Sequence, residues 1–180
     1  EIYGLRDNWT NADILNLKKQ LKKMISPFAQ EQNDFNIFLK FKNYQEKIIN
    51  DSFDYARTGI NASVTSKGDL KYTIFDESYV HNERLQIREP SFGPAEVRIL
   101  YLDAAAKRAF AKRNGISVRE YGNIKLFRDN FRILPYGELE NDWLGIDSKH
   151  AQAVFRSLGT RDIIGYVQIT KADNPLLKDA

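Results

Sequence analysis

The sequence predicts an α+β fold, in which one mainly antiparallel β-sheet is backed by helices. Three observations lead to this prediction. Several segments alternate apolar and polar residues, which is the period of a half-buried strand. Other segments repeat apolar residues every three or four positions, which is the period of a helix. The two kinds of segment are mixed along the chain, without the regular alternation that is typical of a doubly wound parallel sheet.

The composition is that of a globular protein, with 42% hydrophobic and 28% charged residues and a net charge of +3. The absence of cysteine excludes a disulfide framework and a thiolate metal site. No apolar run approaches the roughly 18 residues of a membrane-spanning helix, so we expect no membrane partner. The absence of cysteine fits a reducing compartment, and we expect a cytoplasmic protein. The chain opens on Glu1 and its only methionine is Met24, so we expect a fragment of a longer protein.

The first third of the chain predicts a helix followed by a strand. Thr10 is a good N-cap, and Asp13 stands three residues later, as in a capping box. Apolar residues at helical spacing then predict a helix over 11–25, and alternation predicts a strand over 35–41. Residues 45–55 fit either a short helix or a loop.

The middle of the chain predicts a hairpin, a long loop and a strand. Residues 56–64 and 70–74 alternate on either side of a Lys-Gly-Asp turn, which is typical of an antiparallel hairpin. Residues 77–94 contain two prolines and a glycine and predict an irregular loop, either a binding segment or a plain surface excursion. A strand follows over 97–101.

Helix signals follow this strand. Asp103 is the N-cap of an alanine-rich helix over 104–113, and Asn114-Gly115 is a typical left-handed C-cap pair. Ser117 and Glu120 form a capping box for a one-turn helix.

A second hairpin occupies residues 124–134, because apolar alternation flanks Asp129 and Asn130, which tolerate the positive φ angles of a tight turn. Ser148 is then the predicted N-cap of a third helix that ends before Gly159. The continuous apolar run at 163–169 predicts a central strand covered on both faces.

Candidate sites are few. The loop after the second hairpin combines acidic residues with an aromatic anchor, so Glu138, Asp142 and Trp143 are candidates for contact with a cation or a basic partner; a solvated loop is the alternative. The two histidines have no metal-ligand neighbour at helical spacing, and we predict neither a metal site nor a catalytic residue.

Four basic residues on the predicted helix over 104–113 allow a different function. Lys107, Arg108, Lys112 and Arg113 could meet phosphates of DNA or RNA, which makes a nucleic-acid-binding module the alternative hypothesis. An ordinary solvated helix face would show the same residues.

Several longer stretches resemble a known superfamily. They are IKLFRDNFRILPYGE (residues 124–138), DWLGID (142–147), RDIIGYVQIT (161–170), NPLLKDA (174–180) and the opening residues 1–28. Together they resemble the region after the nucleotide-binding domain of GHKL-type ATPases, the superfamily of gyrase B and the ninety-kilodalton heat-shock chaperones. The resemblance implies the fold of the second domain of ribosomal small-subunit protein five.

The resemblance also implies a role and a domain division. Residues 1–30 would be the exit strand and connecting helix of an ATP-binding domain, and residues 31–180 a transducer-like domain that couples ATP binding to movement. ATP and Mg²⁺ would bind the full-length protein, which the resemblance implies is an ATPase, and this fragment would not be an enzyme by itself. The expected partners are the protein's own ATP-binding domain, a second copy in a homodimer, and an unknown client. In the superfamily, one basic residue senses phosphate, and its position corresponds to Ala180 or beyond in this chain. Lys171 and Lys178 lie nearby and are the candidates for this residue.

Overall fold

The structure, a computed structural model, describes residues 8–26, 36–50, 53, 56–152 and 158–175. These residues form a mainly antiparallel seven-stranded sheet, a separate two-stranded hairpin and several helices, which confirms the α+β prediction. The strands are β1 Phe38–Phe41, β2 Tyr44–Lys47, β3 Thr58–Val64, β4 Asp69–Phe75, β5 Val80–Gln86, β6 Ala95–Tyr101, β7 Ile124–Arg128, β8 Phe131–Ile133 and β9 Ile163–Ile169. The helices are α1 Asn11–Met24, α2 Ala104–Asn114, α3 Val118–Tyr121 and α4 Ile146–Gln152, with a 3-10 turn at Thr160–Asp162.

The large sheet has the strand order β5-β4-β3-β6-β9-β7-β8. Neighbouring strands are antiparallel except β7 and β9, which run parallel. Strand β9 therefore lies between β6 and β7, and its first four residues are buried. The prediction of a central apolar strand is confirmed, because a strand covered on both faces needs no polar alternation.

The main core lies between the sheet and helices α2 and α3. Phe110 of α2 and Tyr121 of α3 meet edge to face, with ring centroids 5.2 Å apart. They belong to one buried cluster with Leu100, Ile164 and Tyr166 of the central strands. Burial of these large side chains contributes most of the stabilisation of this layer.

Helix α1 packs on the small hairpin and on the edge of the large sheet. Its apolar residues contact a second buried cluster that contains Leu39 and Ile48 of the β1–β2 region. Directly after the helix, Ile25 forms an isolated antiparallel bridge with Phe131 of β8. The helix is thus fixed at the β8 edge. None of the helices that the structure describes has the length and apolar character needed to cross a lipid bilayer.

The predicted helix boundaries and turns are confirmed where they depend on local interactions. The capping boxes of Thr10 and Ser117 are both present, and Asp103 accepts a hydrogen bond from the N–H of Ala106. Asp129 and Asn130 adopt φ angles of 50° and 67°, as the turn between β7 and β8 requires.

Two interpretations of the middle of the chain are corrected. Residues 44–47 form strand β2, so neither a helix nor a loop describes the start of the 45–55 segment. Strand β5 lies within residues 77–94, so the prediction of one long irregular loop is wrong. All seven residues of β5 are exposed, and an edge strand without a buried face shows no alternation of apolar and polar residues.

Candidate functional site

Two glycines allow the loop after the β7–β8 hairpin to pack closely against the start of β7. Gly122 has a φ of 90°, and a Cβ atom there would lie 2.0 Å from the carbonyl oxygen of Gly137. Gly137 has a φ of 75°, and its Cβ would lie 2.5 Å from the carbonyl oxygen of Ile124. Only glycine allows both the backbone angles and this close approach.

Trp143 anchors the same loop. Its indole N–H donates to the carbonyl oxygen of Ile124 at 2.8 Å, and its ring meets Tyr136 edge to face at 5.1 Å between centroids. The side chain is half-buried, which is usual for a tryptophan that buries its ring and pairs its one donor. Trp143 therefore holds the loop on the sheet.

Asp142 initiates helix α4. Its carboxylate accepts hydrogen bonds from the backbone N–H groups of Ile146, Asp147 and Ser148 at 2.7, 2.9 and 3.3 Å. The prediction that Ser148 caps this helix is wrong, because Ser148 lies inside it. The free N–H groups at the start of a helix are satisfied here by a carboxylate from the preceding loop. The predicted end of the helix lies outside the described residues.

Glu138 forms an ion pair with Arg132 of β8, with 2.6 Å between Oε1 and Nη2. The Arg132 side chain is only 4% exposed, whereas that of Glu138 is 40% exposed. Burial, more than any other cause, lowers the pKa of Arg132, and the charge of Glu138 opposes that effect. Each of the three loop candidates thus has a contact within the domain, and their role in binding a partner stays a prediction.

Lys125 of β7 lies at the centre of this region and is completely buried. Its Nζ donates to the carbonyl oxygen of Tyr121 at 3.1 Å and lies 3.5 Å from the centroid of the Tyr121 ring. Burial, reinforced by the charges of Arg132 and Lys23, holds the pKa of Lys125 well below its ordinary value.

The sequence pattern does not identify Lys125 as a buried residue. Lysine in an alternating strand predicts a solvated face, and Lys125 alternates with apolar Ile124 and Leu126. The available signal was Phe127, an apolar residue that shares the face of Lys125 and is also completely buried.

Lys23 of α1 approaches the same region from the helix side. It is nearly buried, and its Nζ donates to the carbonyl oxygen of Glu120 at 3.1 Å. Burial lowers its pKa, although the charge of Glu138 opposes the effect. Three cationic side chains from α1, β7 and β8 therefore surround the hairpin, and Glu138 acts electrostatically on all three.

The loop after β9, which carries Lys171, is fixed at the β7–β8 turn. The backbone N–H of Lys171 donates to Asp129 at 3.1 Å. Asn174 accepts from the N–H of Gly93 at 2.8 Å and donates to the carbonyl oxygen of Pro94 at 3.0 Å. Lys171 is exposed at this end of the sheet, and Lys178 lies outside the described residues. A cavity of about 890 Å³ opens beside the loop.

A path of polar side chains joins the end of α1 to this turn. The hydroxyl of Ser26, which is fully buried, donates to Oε1 of Gln168 at 3.1 Å. The amide of Gln168 in turn donates to Oδ1 of Asn130 at 3.4 Å. The preceding residue in the turn, Asp129, accepts a hydrogen bond from the N–H of Lys171. The path thus runs from the first helix to the loop after the last strand.

The basic residues of α2 do not form one stripe. Lys107 forms an ion pair with Asp162. At 100° per residue, Arg108 and Lys112 share a face, whereas Lys107 and Arg113 point away from it on opposite sides. Arg108 and Lys112 are exposed. Nucleic-acid binding by this helix stays a prediction, and Lys107 already has a carboxylate partner.

No protein-family model, curated protein or solved structure matches the chain. Within the described ranges, no group of three or more side chains is arranged to hold a metal ion.

Proposed function

We propose that this chain is the transducer-like domain of a GHKL-type ATPase, with the fold of the second domain of ribosomal small-subunit protein five. It would couple ATP binding and hydrolysis in a preceding domain to conformational change. ATP and Mg²⁺ would bind that domain, and the isolated chain would neither bind nor hydrolyse ATP. The full-length protein would be cytoplasmic, would act on a client, and would form a homodimer.

One observation carries the proposal: the hydrogen-bonded path Ser26–Gln168–Asn130 between α1 and the β7–β8 turn. In the superfamily that the sequence resembles, the helix equivalent to α1 leads out of the ATP-binding domain. The loop that follows the strand equivalent to β9 senses phosphate. The path therefore joins the two elements that a transducer has to couple, by the packed and hydrogen-bonded contacts that can carry coupling.

The rigid attachment of α1 supports the same proposal. The Ile25–Phe131 bridge fixes the end of the helix to β8, and the bond from Lys23 to the carbonyl oxygen of Glu120 fixes it to α3. Displacement of α1 by a neighbouring domain would therefore move the hairpin and the adjoining loop with it. A cation that reaches the γ-phosphate only after such a movement would stabilise the charge that develops in phosphoryl transfer.

The test uses the full-length product of the gene that encodes this chain. We expect ATP binding and hydrolysis by that protein, and no ATP binding by the isolated chain in calorimetry. Gln168→Leu should lower the ATPase rate about 2- to 30-fold, which corresponds to the coupling typical of such networks. ATP affinity should change less than the rate, because Gln168 would act on movement and not on nucleotide contacts.

Gln45→Leu, at an exposed position of β2, is the matched control and should leave the rate unchanged. Tight ATP binding by the isolated chain, or no ATP binding by the full-length protein, would overturn the proposal. Equal effects of Gln168→Leu and Gln45→Leu on the ATPase rate would show that the Ser26–Gln168–Asn130 path does not carry the coupling. Salt-dependent DNA or RNA binding that is lost in Arg108→Ala would favour the nucleic-acid alternative.

A further inference from the structure

One half of the sheet carries polar side chains on the face where the other half packs against α2 and α3. Thr73, Asn61 and Arg98 are directly opposite one another on β4, β3 and β6, and Tyr166 follows on β9. Residues opposite each other in a sheet present their side chains on the same face. In the next row on this face, Lys71, Ser63 and Glu96 are opposite one another on the same three strands, and Gln168 follows on β9.

These rows line a cavity of about 330 Å³. That volume is at the lower end of the range for small-molecule sites, about 300–1,000 Å³. The part of this face around Leu100 stabilises the domain by burying apolar side chains. The polar rows bury little apolar surface, so that role does not explain them.

Arg98 is the unusual member of the group. Its side chain is half-buried, and its Nε–H is fully buried without a hydrogen-bond acceptor among the described residues. A buried donor at a charged group costs free energy when it stays unsatisfied. That Nε–H has no solvent-accessible surface, so a ligand in the cavity would meet the other nitrogens of the guanidinium, whose planar array of donors suits an oxyanion with two oxygens.

The other side chains are suited to an anion. Asn61, Ser63 and Lys71 offer an amide, a hydroxyl and an amine, and within the described ranges none of these donors is engaged. The hydroxyl of Thr73 is different, because it donates to Asn82 at 2.7 Å. Glu96 is the one carboxylate of the lining, so the lining with its two cations keeps a net positive charge.

We propose that this cavity, which we call the sheet-face site, binds the phosphate group of a small ligand, either free phosphate or a small phosphate ester. Arg98 and Lys71 supply the charge, and Asn61 and Ser63 supply further donors. Glu96 accepts a hydrogen bond from a hydroxyl of the ester or of a protonated phosphate. Ser26, Gln168 and Asn130 do not line the site, although Gln168 is directly opposite Glu96 in the sheet. Substitutions at Arg98 and Lys71 therefore test the site, and Gln168→Leu tests the coupling role.

The experiment titrates the chain with inorganic phosphate and, separately, with glycerol 3-phosphate, followed by ¹⁵N NMR. We expect saturable shifts of the Arg98 Nε–H and of the Asn61 side-chain amide. Arg98→Met should weaken binding about tenfold or more, as expected for charge-assisted hydrogen bonds. Lys71→Met, at an exposed position, should also weaken it and provides a second variant should Arg98→Met fold poorly.

Arg88→Met is the matched control, because Arg88 is an exposed arginine after β5 that does not line the cavity. Tighter binding of the ester than of phosphate would assign the ester as the ligand, and the reverse order would assign free phosphate. Shifts that do not saturate, or an equal loss of binding in the control, would overturn the proposal. Tighter binding of single-stranded or duplex DNA that depends on Arg98 would also overturn it, in favour of a nucleic-acid surface.

Discussion

Lys125 lies directly over the ring of Tyr121, with 3.5 Å between Nζ and the ring centroid, and donates to the carbonyl oxygen of the same residue. Lys125 of β7 thus contacts the last residue of helix α3. A lysine without solvent contact is costly in its charged form, because one carbonyl oxygen and one aromatic face do not replace its hydration. This relationship leads to a prediction about stability.

Lys125→Met should raise the free energy of unfolding by roughly 1–4 kcal/mol near neutral pH, the range seen when buried ion pairs are replaced by apolar residues of similar volume. The pKa of Lys125 is depressed in the folded state and returns to about 10.5 on unfolding. Between these two pKa values the unfolded chain binds more protons, so the stability of the wild-type protein rises with pH there. The substitution should remove that rise.

Urea unfolding at several pH values from 6 to 10 measures this effect. Lys40→Met, at an exposed position of β1, is the control and should leave both the stability and its pH dependence near the wild type. A loss of stability in Lys125→Met would show instead that the contact with Tyr121 outweighs the burial of the amine.

Glu138→Gln should destabilise the domain, because it leaves Arg132 buried without its carboxylate. Breaking a fully buried pair costs about 3–5 kcal/mol, but Glu138 is 40% exposed, so we expect roughly 1–3 kcal/mol. Glu77→Gln removes an exposed pair with Arg57 and should cost less than about 1 kcal/mol. Chemical denaturation compares the two, and similar losses would contradict the assignment of Arg132 as the buried partner.

Gly137→Ala should destabilise the domain by more than the roughly 1–2 kcal/mol of a left-handed backbone angle. The added Cβ would lie 2.5 Å from the carbonyl oxygen of Ile124, and that backbone cannot yield without moving β7. Gly145→Ala is the comparison, because it has a φ of 65° but meets only the hydroxyl of Ser148, at 3.2 Å. Thermal unfolding should show the larger loss for Gly137→Ala, and equal losses would contradict the close packing of the loop on β7.

Local interactions explain what the sequence could predict. The capping box of Thr10 and the turn at Asp129–Asn130 depend on residues within a few positions of each other, so they can be identified from spacing alone. Strand β5 could not be identified in this way, because both of its faces are exposed and only pairing with β4 forms it. Alternation of apolar and polar residues indicates a strand with one buried face, and β5 has no buried face.

Long-range packing determines the candidate site, and so most of it was not predictable. The burial of Lys125 depends on α1 and α3, which cover a face that the strand alone would leave solvated. The sheet-face site depends on the register of three strands, which places Arg98 opposite Asn61. Composition and spacing carry no information about that register until the partners of each strand are known.

Asp142→Ala should destabilise the domain by about 1–2 kcal/mol, because its carboxylate accepts from three N–H groups at the start of α4. Ser148→Ala should cost less than about 0.5 kcal/mol, since Ser148 lies inside the helix, where alanine is the better helix former. The Ser148 hydroxyl donates only to the carbonyl oxygen of Gly145 at 2.9 Å.

Urea unfolding of both variants separates the two positions, and amide hydrogen exchange at Asp147 and Ser148 reports on the first turn directly. Exchange should accelerate in Asp142→Ala, because the N–H groups lose their acceptor, and should change little in Ser148→Ala. The opposite order would restore Ser148 as the cap and would place the start of α4 later in the chain. The helix would then begin independently of the loop that Trp143 anchors on β7.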